Sequence, residues 1–126
     1  MSRSTDVYII GVASTAFQKW PDRTFRDLAS EVVREVLEDA GWADGGDIGS
    51  VYFGNCAMDV WGQSNIRGQV ALRPMLREGR LPERVPILNV EAGCATGSVA
   101  FHQAVKDVRA GGCEVALAVG VETGTS

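Results

Sequence analysis

The sequence lacks any apolar run long enough to cross a bilayer: the longest, Val115 to Val121, is seven residues. Its N-terminus has no apolar signal region, so no targeting segment is expected. Cysteine is scarce. Three cysteines, an odd number with no close-spaced pair, argue against a disulfide framework and against a zinc site, and no metal is expected. An excess of positive charge is missing as well. With a net charge of −4 there is no general electrostatic reason to bind nucleic acid or an anionic membrane surface. No internal repeat, low-complexity tract or interdomain linker breaks the chain. These absences leave a reduced, cytoplasmic setting as the expectation.

What is present suits one domain with a real core. The chain has 126 residues, 45% of them hydrophobic and 22% charged, ordinary proportions for a globular protein. Val7 to Ala13 ("VYIIGVA") is a nearly unbroken apolar run, as a strand covered on both faces would be. Thr24 opens a helix, with Asp27 three residues on as a weaker version of the capping box. Phe25, Leu28, Ala29, Val32, Val33, Val36, Leu37 and Ala40 then form one apolar stripe, and Gly41 sits at the left-handed cap.

A second strand is expected over Val51–Phe53, a loop over residues 54–64, and a helix from "SNIRGQVAL" that Pro74 ends or kinks. Ile87 to Val90 reads as the third strand, residues 95–110 as the third helix closed by Gly111 and Gly112, and Val115–Val119 as the fourth strand. Strands alternating with helices imply right-handed crossovers and an α/β fold, a mostly parallel sheet with helices on both faces. Ligands gather outside the carboxyl ends of such strands.

Cys94, in "NVEAGCATGSVAF", falls at such an end, between the third strand and the third helix. A thiolate is the attacking form of cysteine, and the positive end of a helix dipole favours it. Free N–H groups in a first helical turn can hold a developing oxyanion. Ala95, Gly97 and Ser98 leave room for an acyl group. Against this stands the common inert role of a free cysteine as a buried hydrophobe.

The order of motifs then points to a family. "YIIGVASTAF", "DLASEVVREVLEDAGW", "GQSNIRGQVAL" and "VEAGCATGSVAFHQAVKDVRAGGCEVALAVGVE" together resemble the N-terminal half of a thiolase-fold protein, nearest the lipid-transfer (sterol-carrier-protein) thiolases. The resemblance covers essentially the whole sequence. It implies acyl transfer through a cysteine thioester, with carbon–carbon bonds made or broken beside an acyl-coenzyme A thioester. It places the nucleophile at Cys94, whose backbone N–H would join an oxyanion hole. Coenzyme A thioester is then a substrate, with no permanently bound cofactor. Thr96 stands where relatives often carry serine, and "GVETGTS" departs from the family's Glu-x-Met-Ser, which bears on the acyl pocket.

The family's other catalytic parts belong to its second half: an Asn motif, a Gly-His-Pro histidine and a late Cys-x-Gly. None occurs in this sequence, so residues 1–126 are expected to be an incomplete thiolase N-terminal domain, without the loop domain and C-terminal half. The expected partners are acyl-CoA and a complementary half or second subunit in a homo- or hetero-oligomer, with turnover negligible for the chain alone. The alternative is a non-catalytic thiolase-like interaction or scaffold subunit. His102, about 12 Å of helix rise beyond Cys94, reads as a surface or structural residue. Cys56, Cys113, Met58 and Trp61 read as structural. Gln63, Asn65 and Arg67 read as ordering the second helix and a subunit contact rather than a phosphate. The arginines at 73, 77, 80 and 84 read as a solvated connection.

Overall fold

The computed structural model describes residues 6–123. Helix α1 spans Phe25–Asp39 and begins as its sequence dictates. The Thr24 hydroxyl accepts the Asp27 N–H at 3.2 Å, and the Asp27 carboxylate accepts the Thr24 N–H at 2.9 Å. This completes the capping box, and the Thr24 N–H holds the Asp27 carboxyl below its ordinary range. Gly41, at φ +78°, turns the chain away from the helix end. Leu28, Ala29, Val33 and Leu37 form the buried stripe.

Three parallel strands form the sheet: β1 (Ser50–Gly54), β2 (Ile87–Val90) and β3 (Ala116–Gly120), in the order β2-β1-β3. In the central strand Val51 lies opposite Ile87 and Leu117, and Gly54 opposite Val90 and Gly120. Alternation along β1 sorts its side chains. Val51 and Phe53 are fully buried in the core shared with α1. Ser50, Tyr52 and Gly54 meet helix α4 (Thr96–Arg109), which buries Ala100 and Ala104 on the opposite face. The parallel α/β sheet with helices on both faces is therefore present.

Two expectations differ. Residues 7–13 carry no strand pairing among the described residues, so the sheet has three strands rather than four. Tyr8, Ile9, Ile10 and Val12 are exposed, and the Val12 N–H donates to Asp39 Oδ2 at 2.8 Å. An apolar run supplies side chains for a strand, but a ladder also needs an adjacent edge. Here a cavity of about 1150 Å³, lined by Ile9, Ile10, Phe101, Leu117 and Val119, lies between this segment, α4 and β3. The second expected helix is also divided, into α2 (Arg67–Ala71) and α3 (Arg73–Arg77). Pro74 occupies the first turn of α3, where its missing N–H leaves nothing unpaired. Helix α2 sits close on the sheet because Gly68 is bare: a Cβ there would lie 2.7 Å from both Ile87 Cγ2 and Phe53 Cβ.

Candidate active site

The carboxyl ends of β1 and β2 converge on the first turn of α4. Beyond β2 the chain makes a single 3-10 turn, Gly93–Ala95, with Cys94 at its centre and exposed. Gly93, at φ +57°, supplies the left-handed conformation that brings the chain round into the helix. Thr96 is buried and holds this turn shut. Its hydroxyl accepts the Ala92 N–H at 2.9 Å and donates to the Gly93 carbonyl at 2.6 Å. Gly54 allows the close approach, since a Cβ there would stand 2.9 Å from Thr96 Cγ2. No side chain caps α4. Its leading N–H groups have no carbonyl within the helix, which leaves partial positive charge beside the Cys94 turn.

A polar hub faces this turn. Asn55, 2% exposed, donates from Nδ2 to the Val121 carbonyl at 2.5 Å and to Glu122 Oε1 at 3.2 Å. Its Oδ1 accepts the Met58 N–H at 2.9 Å and Arg67 Nη1 at 3.2 Å. Glu122 also accepts the N–H groups of Cys56 at 2.7 Å and Ala57 at 3.2 Å. Nδ2 of Asn55 thus ties the end of β1 to the end of β3, while its Oδ1 holds the following loop and Arg67 of α2. Sequence reasoning gave Asn55 no role. The available signal was an amide directly after a buried strand, since a buried amide must be fully hydrogen-bonded.

The other singled-out residues separate around this frame. Arg67 turns inward to Asn55, Ser64 and Asp59, and the Gln63 amide donates to the Asn65 carbonyl, so both order the approach to α2. Cys56 is half-buried; a hydrogen bond to the Glu122 carboxylate, then burial, pushes its thiol above the usual value. Cys113 lies at the opposite end of the sheet, 3.3 Å from Ser50 Oγ. There Asp107 accepts Ser50 Oγ at 2.7 Å and the Tyr52 hydroxyl at 2.9 Å. His102 is exposed on α4. Met58 is buried, whereas Trp61 is half exposed and donates from its ring nitrogen to the Thr123 carbonyl at 2.7 Å. The last residues of "GVETGTS", 124–126, lie outside the described residues.

Residues 7–126, which include the Cys94 turn, match the thiolase N-terminal domain. The chain belongs to the thiolase family. Among curated relatives, the acetyl-CoA acetyltransferase of Methanocaldococcus jannaschii is 39% identical over 118 residues, covering 93% of this chain and 28% of the relative. The benzoylsuccinyl-CoA thiolase subunit BbsB of Thauera aromatica is 32% identical over 125 residues, or 99% of this chain and 30% of the relative. Human sterol carrier protein 2 is 31% identical over 119 residues, covering 92% of this chain and 20% of the relative. The likeness to sterol carrier proteins therefore stands, at lower identity than to the archaeal acetyltransferase. The chain spans less than a third of the length of these thiolase relatives.

Proposed function

We propose that this chain carries the nucleophile of a thiolase-type acyltransferase, and that the nucleophile is Cys94. The observation carrying this reading is the placement of an exposed thiol on a braced turn, before an uncapped helix, at the carboxyl edge of a parallel sheet. The Cys94 sulfur attacks the carbonyl carbon of an acyl-coenzyme A. Backbone N–H groups around the turn, that of Cys94 included, stabilise the oxyanion as it forms. Collapse of the intermediate expels the coenzyme A thiolate, which takes up a proton, and leaves the acyl group as a thioester on Cys94. A second thiolate or a carbanion then accepts the acyl group. Coenzyme A enters as part of the substrate and is not a resident cofactor.

Turnover needs more than this chain. A nucleophile and part of an oxyanion site are present, but carbon–carbon chemistry also needs groups to activate the thiol and to handle the carbanion. We assign those to a complementary thiolase half or second subunit. The exposed apolar side chains of Tyr8, Ile9, Ile10, Val12 and Phe101, beside the half-buried β3, support such a covering partner. The outer edge of β2 is where a homo- or hetero-oligomer would form. Three unpaired cysteines accord with the reduced cytoplasm.

The test is incubation with acetyl-coenzyme A followed by peptide mass mapping. Slow acetylation of Cys94 is expected, absent in Cys94→Ala, with thiolysis appearing only when a complementary half is added. Acetylation confined to Cys56 or Cys113, or efficient thiolysis by this chain alone, would overturn the assignment. A complex that forms but never turns over would favour the non-catalytic scaffold instead.

A further inference from the structure

Acyl transfer leaves one thiol at the site unused. Cys56 follows β1 and Cys94 precedes α4, and these two segments meet directly where Gly54 abuts Thr96. Each cysteine lies only two residues from that contact, on the carboxyl side of the sheet, and both line the same cavity with Gly93 and Glu122. Two residues of chain reach about 7 Å at most, so the two thiols sit within a small region. Cys94 is near enough to be among the groups that raise the Cys56 thiol, after the Glu122 hydrogen bond, burial and nearby carboxylates. The backbone of Cys56 is anchored by its N–H to Glu122, and the Cys94 turn by Thr96. Both segments are thus anchored beside one another at the same end of the sheet.

We propose that Cys56 and Cys94 form a reversible disulfide that switches the site off under peroxide. The Cys94 thiolate attacks one oxygen of the peroxide, breaking the O–O bond and expelling hydroxide, which is protonated to water; the sulfur becomes a sulfenic acid. The Cys56 sulfur then attacks that sulfenic sulfur. An S–S bond forms, the S–O bond breaks, and a second water leaves with the Cys56 proton. Two thiols are oxidised and one peroxide is reduced to two waters. Glu122, hydrogen-bonded to the Cys56 thiol, is placed to hold the departing proton. The disulfide removes the nucleophile while sparing it from irreversible oxidation, and a dithiol reductant restores it.

That this bond acts as a switch rests on Cys94 being the acyl acceptor; its formation does not. The full chain is treated with several equivalents of hydrogen peroxide per chain, since each step of the oxidation ladder consumes one, and read by intact mass and non-reducing peptide mapping. We expect a loss of about 2 Da, a linked peptide pair containing Cys56 and Cys94, and loss of acetylation by acetyl-coenzyme A that dithiothreitol reverses. In Cys56→Ser, the same dose should carry Cys94 on to sulfinic acid. Sulfinic or sulfonic acid at Cys94 of the unaltered chain, with Cys56 still open to alkylation, would overturn the proposal. So would a link through Cys113 or between two chains. A Cys56–Cys94 link in a chain that never accepts acetyl groups would keep the disulfide and refute the acyltransferase reading.

Discussion

Replacing Thr96 with valine removes a hydroxyl and keeps a β-branched shape, so it tests whether that hydroxyl sets the Cys94 turn. Two hydrogen bonds are lost, from the Ala92 N–H at 2.9 Å and to the Gly93 carbonyl at 2.6 Å. Each is worth roughly 0.5–1.5 kcal/mol net, so the change should cost about 2 kcal/mol. Valine fills nearly the same space, so packing against Gly54 should change little. Urea unfolding should therefore show a lower midpoint at unchanged slope. The Cys94 alkylation rate at neutral pH should change in the same variant, because the turn is no longer pinned at both ends. Thr96→Ser keeps the hydroxyl and loses one methyl, which costs about 0.8 kcal/mol of burial. It should restore the wild-type alkylation rate even where stability stays slightly reduced. An unchanged midpoint and an unchanged alkylation rate in Thr96→Val would refute the claim that this hydroxyl holds the turn.

Three further outcomes are expected. Gly68→Ala should lower stability by roughly 1–3 kcal/mol through overpacking, visible as a lower urea midpoint, because its Cβ would fall 2.7 Å from Phe53 Cβ. Gly97→Ala should do the opposite, raising stability by about 0.5 kcal/mol, since among the described residues no atom beyond its chain neighbours and its own helix backbone lies within 4 Å of the added Cβ; acetylation of Cys94 should nonetheless slow if the acyl group passes over this turn. Hydrogen bonds from Ser50 and Tyr52 depress the Asp107 carboxyl below its ordinary 3.8, so its contribution is present above that pH and lost as the pH falls through the lower folded value. The stability gap between wild type and Asp107→Asn, measured by urea midpoints, should accordingly be constant near neutrality and shrink below about pH 4.

What could be read from the sequence was local. Thr24, Asp27 and Gly41 mark the ends of α1 because capping involves neighbours three or four residues apart, and the structure bears them out. Gly111, at φ +82°, closes α4 for the same reason. Strand pairing is not local. Nothing in "VYIIGVA" says which edge it will meet, and residues 7–13 meet none among the described residues. The division between α2 and α3 was half legible: Pro74 announced an interruption but not on which side of it the new helix would begin. Cys94 could be singled out because a strand, a glycine and a helix start bracket it. Asn55 could not, because its partners Val121 and Glu122 lie 66 and 67 residues away. The glycines that permit close packing, Gly54 and Gly68, carry no mark in the sequence beyond being glycines within regular elements.

The hub at Asn55 also decides which parts of the site can move. Its bonds to Val121, Glu122, Met58 and Arg67 weld the ends of two neighbouring strands and the following loop into one rigid wall. Opening that wall means breaking the bonds together, so it should exchange its amide hydrogens among the slowest in the chain. Opposite it, among the described residues, residues 7–13 are tied to the rest by one hydrogen bond, from Val12 to Asp39, and by the close approach of Gly11 to the end of α1. Under the proposed acyl transfer, adjustment to acyl groups of different length therefore falls to residues 7–13. The wall behind Cys56 keeps its shape whatever arrives.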